Sequence, residues 1–155
     1  MSIPLEPFIR NAARALIVRD GHVLLLRKDD AIKGERYTLP GGAQEVGETL
    51  QEALRRECRE EIGAEVQIRD LVHVADYFKP RATTPPTIRQ AVEFVFACDV
   101  PEDYQAGNGR RPDGHQVEVL WASLESLRGL RLLPHSLIDL LTEARNNGVY
   151  VGTLN

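Results

Sequence analysis

Two rhythms of apolar residues run along this chain. Leu50 to Ile62 carries the helical rhythm, with Leu50, Ala53, Leu54, Cys58 and Ile62 falling on one arc at about 100° per residue. Thr49 and Glu52 form a capping box before it, and Gly63 supplies a stop, so the pattern predicts a helix over 50–62. The two-residue rhythm marks the strands. In Ala91–Val100, Val92, Phe94, Phe96 and Cys98 share a face. Ala15–Lys28 has apolar runs on both sides of Asp20-Gly21, a dipeptide suited to a tight turn, and reads as a hairpin. Its second run, Val23-Leu24-Leu25-Leu26, does not alternate, which predicts a strand covered on both faces in a layered α/β protein. Glu65–Phe78 and His115–Leu124 also read as strands. Pro134–Gly148 reads as a C-terminal helix, with Gly148 just past its end. Lys79–Thr87 and Glu102–Gly114 lack periodicity and read as long loops of the kind that carry function.

The helix breaks its own pattern. Glu57 and Glu61 fall inside the apolar arc and Glu60 just beyond its edge, next to Arg56. Burying bare carboxylates together is costly, so something compensates. One candidate is an ion pair, with Arg56 in reach of Glu60 at i, i+4. The other is a divalent cation, which neutralises several carboxylates at once; hard oxygen ligands suit Mg²⁺ or Mn²⁺. Upstream, Gly41 and Gly42 allow a tight turn and close approach of a ligand. Glu48 stands where a negative charge favours a helix N-terminus, as a cap or as a tether for the loop.

Composition narrows the function. The 155 residues suit one domain, 1–155, and 43% apolar with 27% charged is ordinary for a globular protein. A net charge of −4 gives no general basic field, so no nucleic-acid partner is expected. No apolar run approaches a membrane span or a signal peptide. Cys58 and Cys98 lie in apolar segments without a CxxC pair and read as buried free thiols, which suits a reducing, cytoplasmic setting.

From Gly42 to Ala64 the residues resemble the Nudix signature, G-x5-E-x7-R-E-U-x-E-E-x-G-U with U a bulky aliphatic. Gly42, Glu48, Arg56-Glu57, Glu60-Glu61 and Gly63 fill every fixed position; Cys58 and Ala64 are smaller than the usual aliphatics. The resemblance implies an α/β/α sandwich with a mixed sheet. It also implies hydrolysis of a nucleoside diphosphate linked to another moiety, with Mg²⁺ or Mn²⁺. It makes Glu57, Glu60 and Glu61 metal ligands, with the Gly41 carbonyl as a further one. Arg56 becomes the residue that orients a glutamate, and Glu48 a support of the box. The general base is then Glu57, or a glutamate outside the box: Glu93 in the β-rhythm of Ala91–Val100, or Glu118 shortly before Trp121-Ala122-Ser123-Leu124, ranked slightly higher. For both outside candidates the plainer reading is a solvent-facing strand charge.

The resemblance implies a small nucleotide as substrate, such as ADP-ribose. Pro80, sixteen residues beyond Ala64, resembles the ADP-ribose pyrophosphatase group, though it also reads as an ordinary loop proline. Arg27, Lys33, Arg36, Lys79, Arg81 and Arg89 are candidates for phosphate contact, and Tyr37, Tyr77 and Phe78 for stacking on a base. The alternatives are a housecleaning nucleoside triphosphate pyrophosphatase and a non-catalytic nucleotide sensor; the intact glutamates argue against the sensor. Family members are often dimeric, and the composition neither requires nor forbids a homodimer.

Overall fold

The computed structural model describes residues 2–142 and 148–155. Two β-sheets form the frame. The larger has the order β5 (Gly41–Ala43), β1 (Leu5–Leu16), β7 (Thr87–Asp99), β6 (Gln67–Arg81), β9 (Tyr150–Leu154). Within it β1 runs parallel to β7 and β6 parallel to β9, while the other pairs are antiparallel, so the sheet is mixed. In the smaller sheet β3 (His22–Lys28) pairs with β2 (Val18–Arg19), β4 (Arg36–Thr38) and β8 (Gln116–Ser123).

The run Val23–Leu26 is buried throughout because it feeds two cores. Leu24 and Leu26 pack with Ala13, Phe96 and Cys98 beneath helix α1 (Leu50–Ile62). Val23 and Leu25 pack with Leu39, Ala75 and Val95 beneath helix α2 (Leu137–Thr142). Both sheets alternate side chains between these cores, and a helix covers each side: the α/β/α arrangement. Cys58 and Cys98 are buried free thiols.

Three expectations about elements need correction. The hairpin is short: only Val18 and Arg19 pair across Asp20-Gly21, because the chain changes sheets near Ile17 and the preceding alanines belong to β1. The loop expected over Lys79–Thr87 shrinks to 82–86, since β6 and β7 pair as far as Arg81 and Thr87. Pro80 is therefore a strand residue opposite Ile88. It lies past Tyr77, the last β6 partner of β9, where β6 is a sheet edge and tolerates proline. The C-terminal helix runs over Leu137–Thr142; its expected continuation over 143–147 lies outside the described residues. Strand β9 follows, unforeseen because it is five residues held by a non-local ladder to Val74, Asp76 and Tyr77.

Helix α1 is fixed at both ends. The Thr49 side chain accepts from the Glu52 N–H, and Gly63 takes the left-handed conformation at φ 66°. The long loop 101–115 then satisfies carbonyls that the last turn leaves open. The Gly109 and Arg111 amides donate to Glu61 and Glu60 at 2.9 Å, Gln116 Nε2 donates to Glu61 O at 2.8 Å, and the Tyr104 hydroxyl donates to Ile62 O at 2.7 Å. A Cβ on Gly109 would lie 2.4 Å from Glu60 O, a backbone atom with no room to yield. Gly109→Ala is therefore expected to cost about 1–3 kcal/mol and lower Tm by roughly 2–10 °C. An unchanged melting temperature would show that the loop does not brace the helix.

Candidate active site

The apolar arc of α1 delivers its glutamates in graded burial. Glu61 is 4% exposed, while the Glu57 and Glu60 side chains are 17% and 32% exposed. Glu61 Oε1 accepts the Gly41 N–H at 2.8 Å. Burial pushes its carboxyl up to about 8 against that hydrogen bond, and the nearby Glu57 adds to the rise. Glu57 is also raised, chiefly by burial, with Arg56 opposing. Its carboxylate lies under Gly42, where a Cβ would fall 2.7 Å from the Glu57 carboxyl carbon. At Gly41, φ is +137° and a Cβ would lie 2.0 Å from Ala13 O. Glycine is thus required at Gly41 for β5 to lie against β1, while a side chain at Gly42 would displace the Glu57 carboxylate.

Arg56 ties this assembly to its loop. Nε and Nη2 donate to the two oxygens of Glu48 at 2.7 and 2.9 Å, Nη1 to Glu57 Oε1 at 3.0 Å, and Nη2 to the Ala43 carbonyl at 3.1 Å. Glu60 is 3.7 Å from Nη1, the i, i+4 pair read from the sequence. Glu48 also accepts the Glu45 N–H at 2.9 Å, so it tethers the loop, and Thr49 is the helix cap. The Arg56 hydrogen bonds hold Glu48 down at about 2 from an ordinary value near 4.5. A folded pKa below the unfolded one contributes stability that is present above pH 4.5 and is lost as pH falls toward 2. Glu48→Gln is expected to flatten the acid limb of the stability curve in that window. A limb of unchanged slope in acid titrations followed by circular dichroism would contradict it.

A residue that sequence reading missed completes the site. Arg14 on β1 donates from Nη1 to the Gly41 carbonyl at 3.0 Å and from Nε to Glu93 Oε2 at 3.2 Å. Burial lowers its guanidinium, but Glu93, Glu61 and Glu57 outweigh that and raise it. Glu93, 5% exposed, is not the solvent-facing strand charge of the plainer reading. The alternation of β7 carried a signal for this, since Glu93 interrupts an otherwise apolar or small face; nothing in the pattern of β1 singled out Arg14.

The remaining candidates lie elsewhere. Glu118 faces Arg27 across the β3/β8 ladder, accepts its Nε at 2.8 Å, and is half exposed. Arg27 also meets Glu35 at 3.3 Å. Arg36 is 6% exposed and spent on Asp30 at 2.7 Å and the Gly34 carbonyl at 3.0 Å. Tyr37 is 8% exposed within the α2-side core, its hydroxyl donating to Glu35 at 3.3 Å. Arg36 and Tyr37 are thus engaged by Asp30 and the α2-side core, and Arg27 and Glu118 pair with each other rather than with the glutamates of α1.

The donor set of Glu57, Glu60, Glu61 and the Gly41 carbonyl is all hard oxygen, which fits a divalent cation such as Mg²⁺ or Mn²⁺. Among the described residues no three His, Cys, Asp or Glu side chains already converge into a closed ligand cluster. Two pressures favour a cation all the same: the cost of ionising buried Glu61 and its repulsion with Glu57. Arg14 takes one lone pair of the Gly41 carbonyl and leaves the second.

The NUDIX domain family matches residues 9–141. The chain belongs to the Nudix family. Nudix hydrolases act on pyrophosphate bonds and use divalent cations. It is 41% identical over 90 residues to an ADP-ribose pyrophosphatase of Methanocaldococcus jannaschii, covering 57% of this chain and 50% of that protein. It is 42% identical over 123 residues to the nucleoside triphosphatase NudI of Enterobacter sp., covering 76% and 84%. It is 46% identical over 125 residues to the NAD-capped RNA hydrolase NudC of Photorhabdus laumondii, covering 79% and 43%. The chain thus spans half or less of the first and third of these Nudix relatives. A MutT protein from Methanosarcina mazei has a similar structure, with TM-score 0.64 at 25% identity over 91% of this chain and 93% of that one. No described helix is long and apolar enough to cross a membrane.

Proposed function

We propose that this Nudix protein hydrolyses the pyrophosphate linkage of a nucleoside diphosphate joined to another moiety, with Mg²⁺ or Mn²⁺. The observation that carries the reading is the convergence of Glu57, Glu61 and the Gly41-Gly42 peptide, with Arg56 locked to Glu48 beside them. Glu57, Glu60, Glu61 and the Gly41 carbonyl would hold the cation. When bound, the cation neutralises charge on the pyrophosphate oxygens and acidifies water. Glu57 accepts the proton of the attacking water, a role suited to a carboxyl raised by burial and still partly open. Arg56 holds Glu57 in place through the bond at 3.0 Å. Arg14 and Glu61 grip opposite ends of the Gly41 residue, its carbonyl and its N–H, and so fix the carbonyl's direction. Glu93 acts through Arg14, and Glu118 is left outside the reaction.

ADP-ribose is the first candidate, by similarity to the M. jannaschii enzyme. A nucleoside triphosphate is the second reading. It is favoured by similarity to NudI over most of that protein and by Lys33 and Lys79, which have no carboxylate within ion-pair distance among the described residues. The test is a panel of ADP-ribose, NADH, diadenosine polyphosphates, CDP-alcohols and (deoxy)nucleoside triphosphates with Mg²⁺, products resolved by chromatography. Two monophosphates from ADP-ribose are expected under the first reading, and a monophosphate plus pyrophosphate under the second. Turnover of none would replace catalysis with nucleotide sensing.

A further inference from the structure

The sequence contains three lysines, Lys28, Lys33 and Lys79, and they gather in one region. Lys79 and Arg81 alternate along β6 and so project from the same face, opposite Arg89 and Thr87 of β7. The same face carries Tyr77 and Ala75, opposite Ala91 and Glu93. Lys33 approaches from the turn after β3. Asp30 Oδ1 holds that turn by accepting the Lys33 and Ile32 amides at 2.8 and 2.9 Å, and Arg131 donates to the Lys33 carbonyl.

Most basic side chains near the site are already spent: Arg14 on Glu93, Lys28 on Asp113, Arg36 on Asp30, Arg56 on Glu48 and Glu57, Arg89 on Glu6. Lys33, Lys79 and Arg81 have no carboxylate within ion-pair distance among the described residues, and all three are only partly exposed. Asp30 acts on Lys33 and Glu6 on Arg81 without pairing with them at ion-pair distance, and like charges held together with so little counter-charge cost free energy that an entering anion withdraws. The titration of these groups agrees. Burial, then Lys33, Lys28, Arg14 and Arg81, pull Lys79 down to about 8. Burial, then Arg36 and Arg81, lower Lys33, with Asp30 opposing. The face connects to the site through Glu93, which stands opposite Ala75 and holds Arg14, the residue that donates to the Gly41 carbonyl.

We propose that Lys33, Lys79 and Arg81 form a phosphoryl-binding subsite beside the box, which takes a phosphoryl group of the substrate additional to those held over Glu57, Glu60 and Glu61. The subsite rests on the pyrophosphohydrolase reading and favours its second candidate, a nucleoside triphosphate, over ADP-ribose, which has no third phosphoryl group. Lysine suits the task because its compact ammonium on a flexible stem can turn toward a phosphoryl oxygen without a fixed fork, and the entering anion favours its charged form.

The first test needs no metal and no turnover. Inorganic tripolyphosphate is titrated calorimetrically into the full chain in the presence of a chelator. Lys79→Met should weaken binding by about tenfold or more, and Lys79→Arg should restore most of it. Lys33→Met, in the turn rather than the strand, repeats the measurement in case the strand variant fails to fold. Binding unchanged in both Met variants overturns the subsite. Inorganic phosphate that binds as tightly as tripolyphosphate, and is not displaced by a nucleoside triphosphate, would make this a site for free phosphate and overturn the substrate assignment. In turnover assays with Mg²⁺, Lys79→Met should raise KM for a nucleoside triphosphate about tenfold while KM for ADP-ribose stays within about twofold. Equal loss on both substrates would place Lys79 at the scissile pyrophosphate and contradict a third position. Lysine-dependent tripolyphosphate binding in a protein that hydrolyses no nucleotide supports the subsite and overturns the hydrolase reading alone.

Discussion

Glu57→Gln is expected to lower kcat at saturating Mg²⁺ by at least about 100-fold, while the metal-free protein melts no lower than wild type. The rate follows from two roles removed at once. Even residues that only orient a metal ligand cost about 10–100-fold when changed, and Glu57 is proposed both to hold the cation and to take the proton. The stability follows from sign. Burial raises the folded pKa of Glu57 above its ordinary value, so ionising it works against folding as pH rises past about 4.5. Glutamine removes that charge and keeps the shape beneath Gly42. The offsetting loss is the Arg56 hydrogen bond, which weakens from charged to neutral but can still be made. Steady-state kinetics beside a thermal melt read both halves. A wild-type rate at saturating metal would remove Glu57 from the chemistry.

The second large effect is at Arg56. Arg56→Lys is expected to reduce Mn²⁺ affinity and kcat by roughly 10–100-fold, nearly as much as Arg56→Ala. A lysine keeps the charge but cannot serve both Glu48 oxygens, Glu57 and the Ala43 carbonyl from one planar group. Without that fork, Glu57 loses its orientation and the loop 44–48 loses its tether to α1. Mn²⁺ titration followed by electron paramagnetic resonance measures the affinity directly. If the lysine variant binds Mn²⁺ as wild type does, positive charge alone suffices and the fork is incidental.

Helix α1 was legible in detail because its signals are local. Thr49, Glu52 and Gly63 fix its ends, and the apolar arc separates the more buried Glu57 and Glu61 from the more exposed Glu60. The two-faced burial of Val23–Leu26 was legible for the same reason. What escaped depended on pairing between distant segments. Strand β9 has too few residues to announce itself. Arg14 reads as a polar interruption among alanines until the register of β1 with β5 and β7 places it beside Gly41 and Glu93. Arg36 and Tyr37 looked available because composition cannot show that Asp30 and the α2-side core have already claimed them. Glu118 and Glu93 were equivalent by alternation; only the partner strand separates a half-exposed ion pair with Arg27 from a buried one with Arg14. The loop expected over Glu102–Gly114 carried no local sign of its partner, and the structure uses it to cap the helix that carries the glutamates.

The most direct test is a crystal of the wild-type protein grown with Mn²⁺ and measured at the manganese edge. The account predicts an anomalous peak at coordination distance, about 2.1 Å, from carboxylate oxygens of Glu57, Glu60 or Glu61, next to the Gly41 carbonyl. No peak there, with those carboxylates turned away in a protein that still cleaves nucleotides, would contradict it.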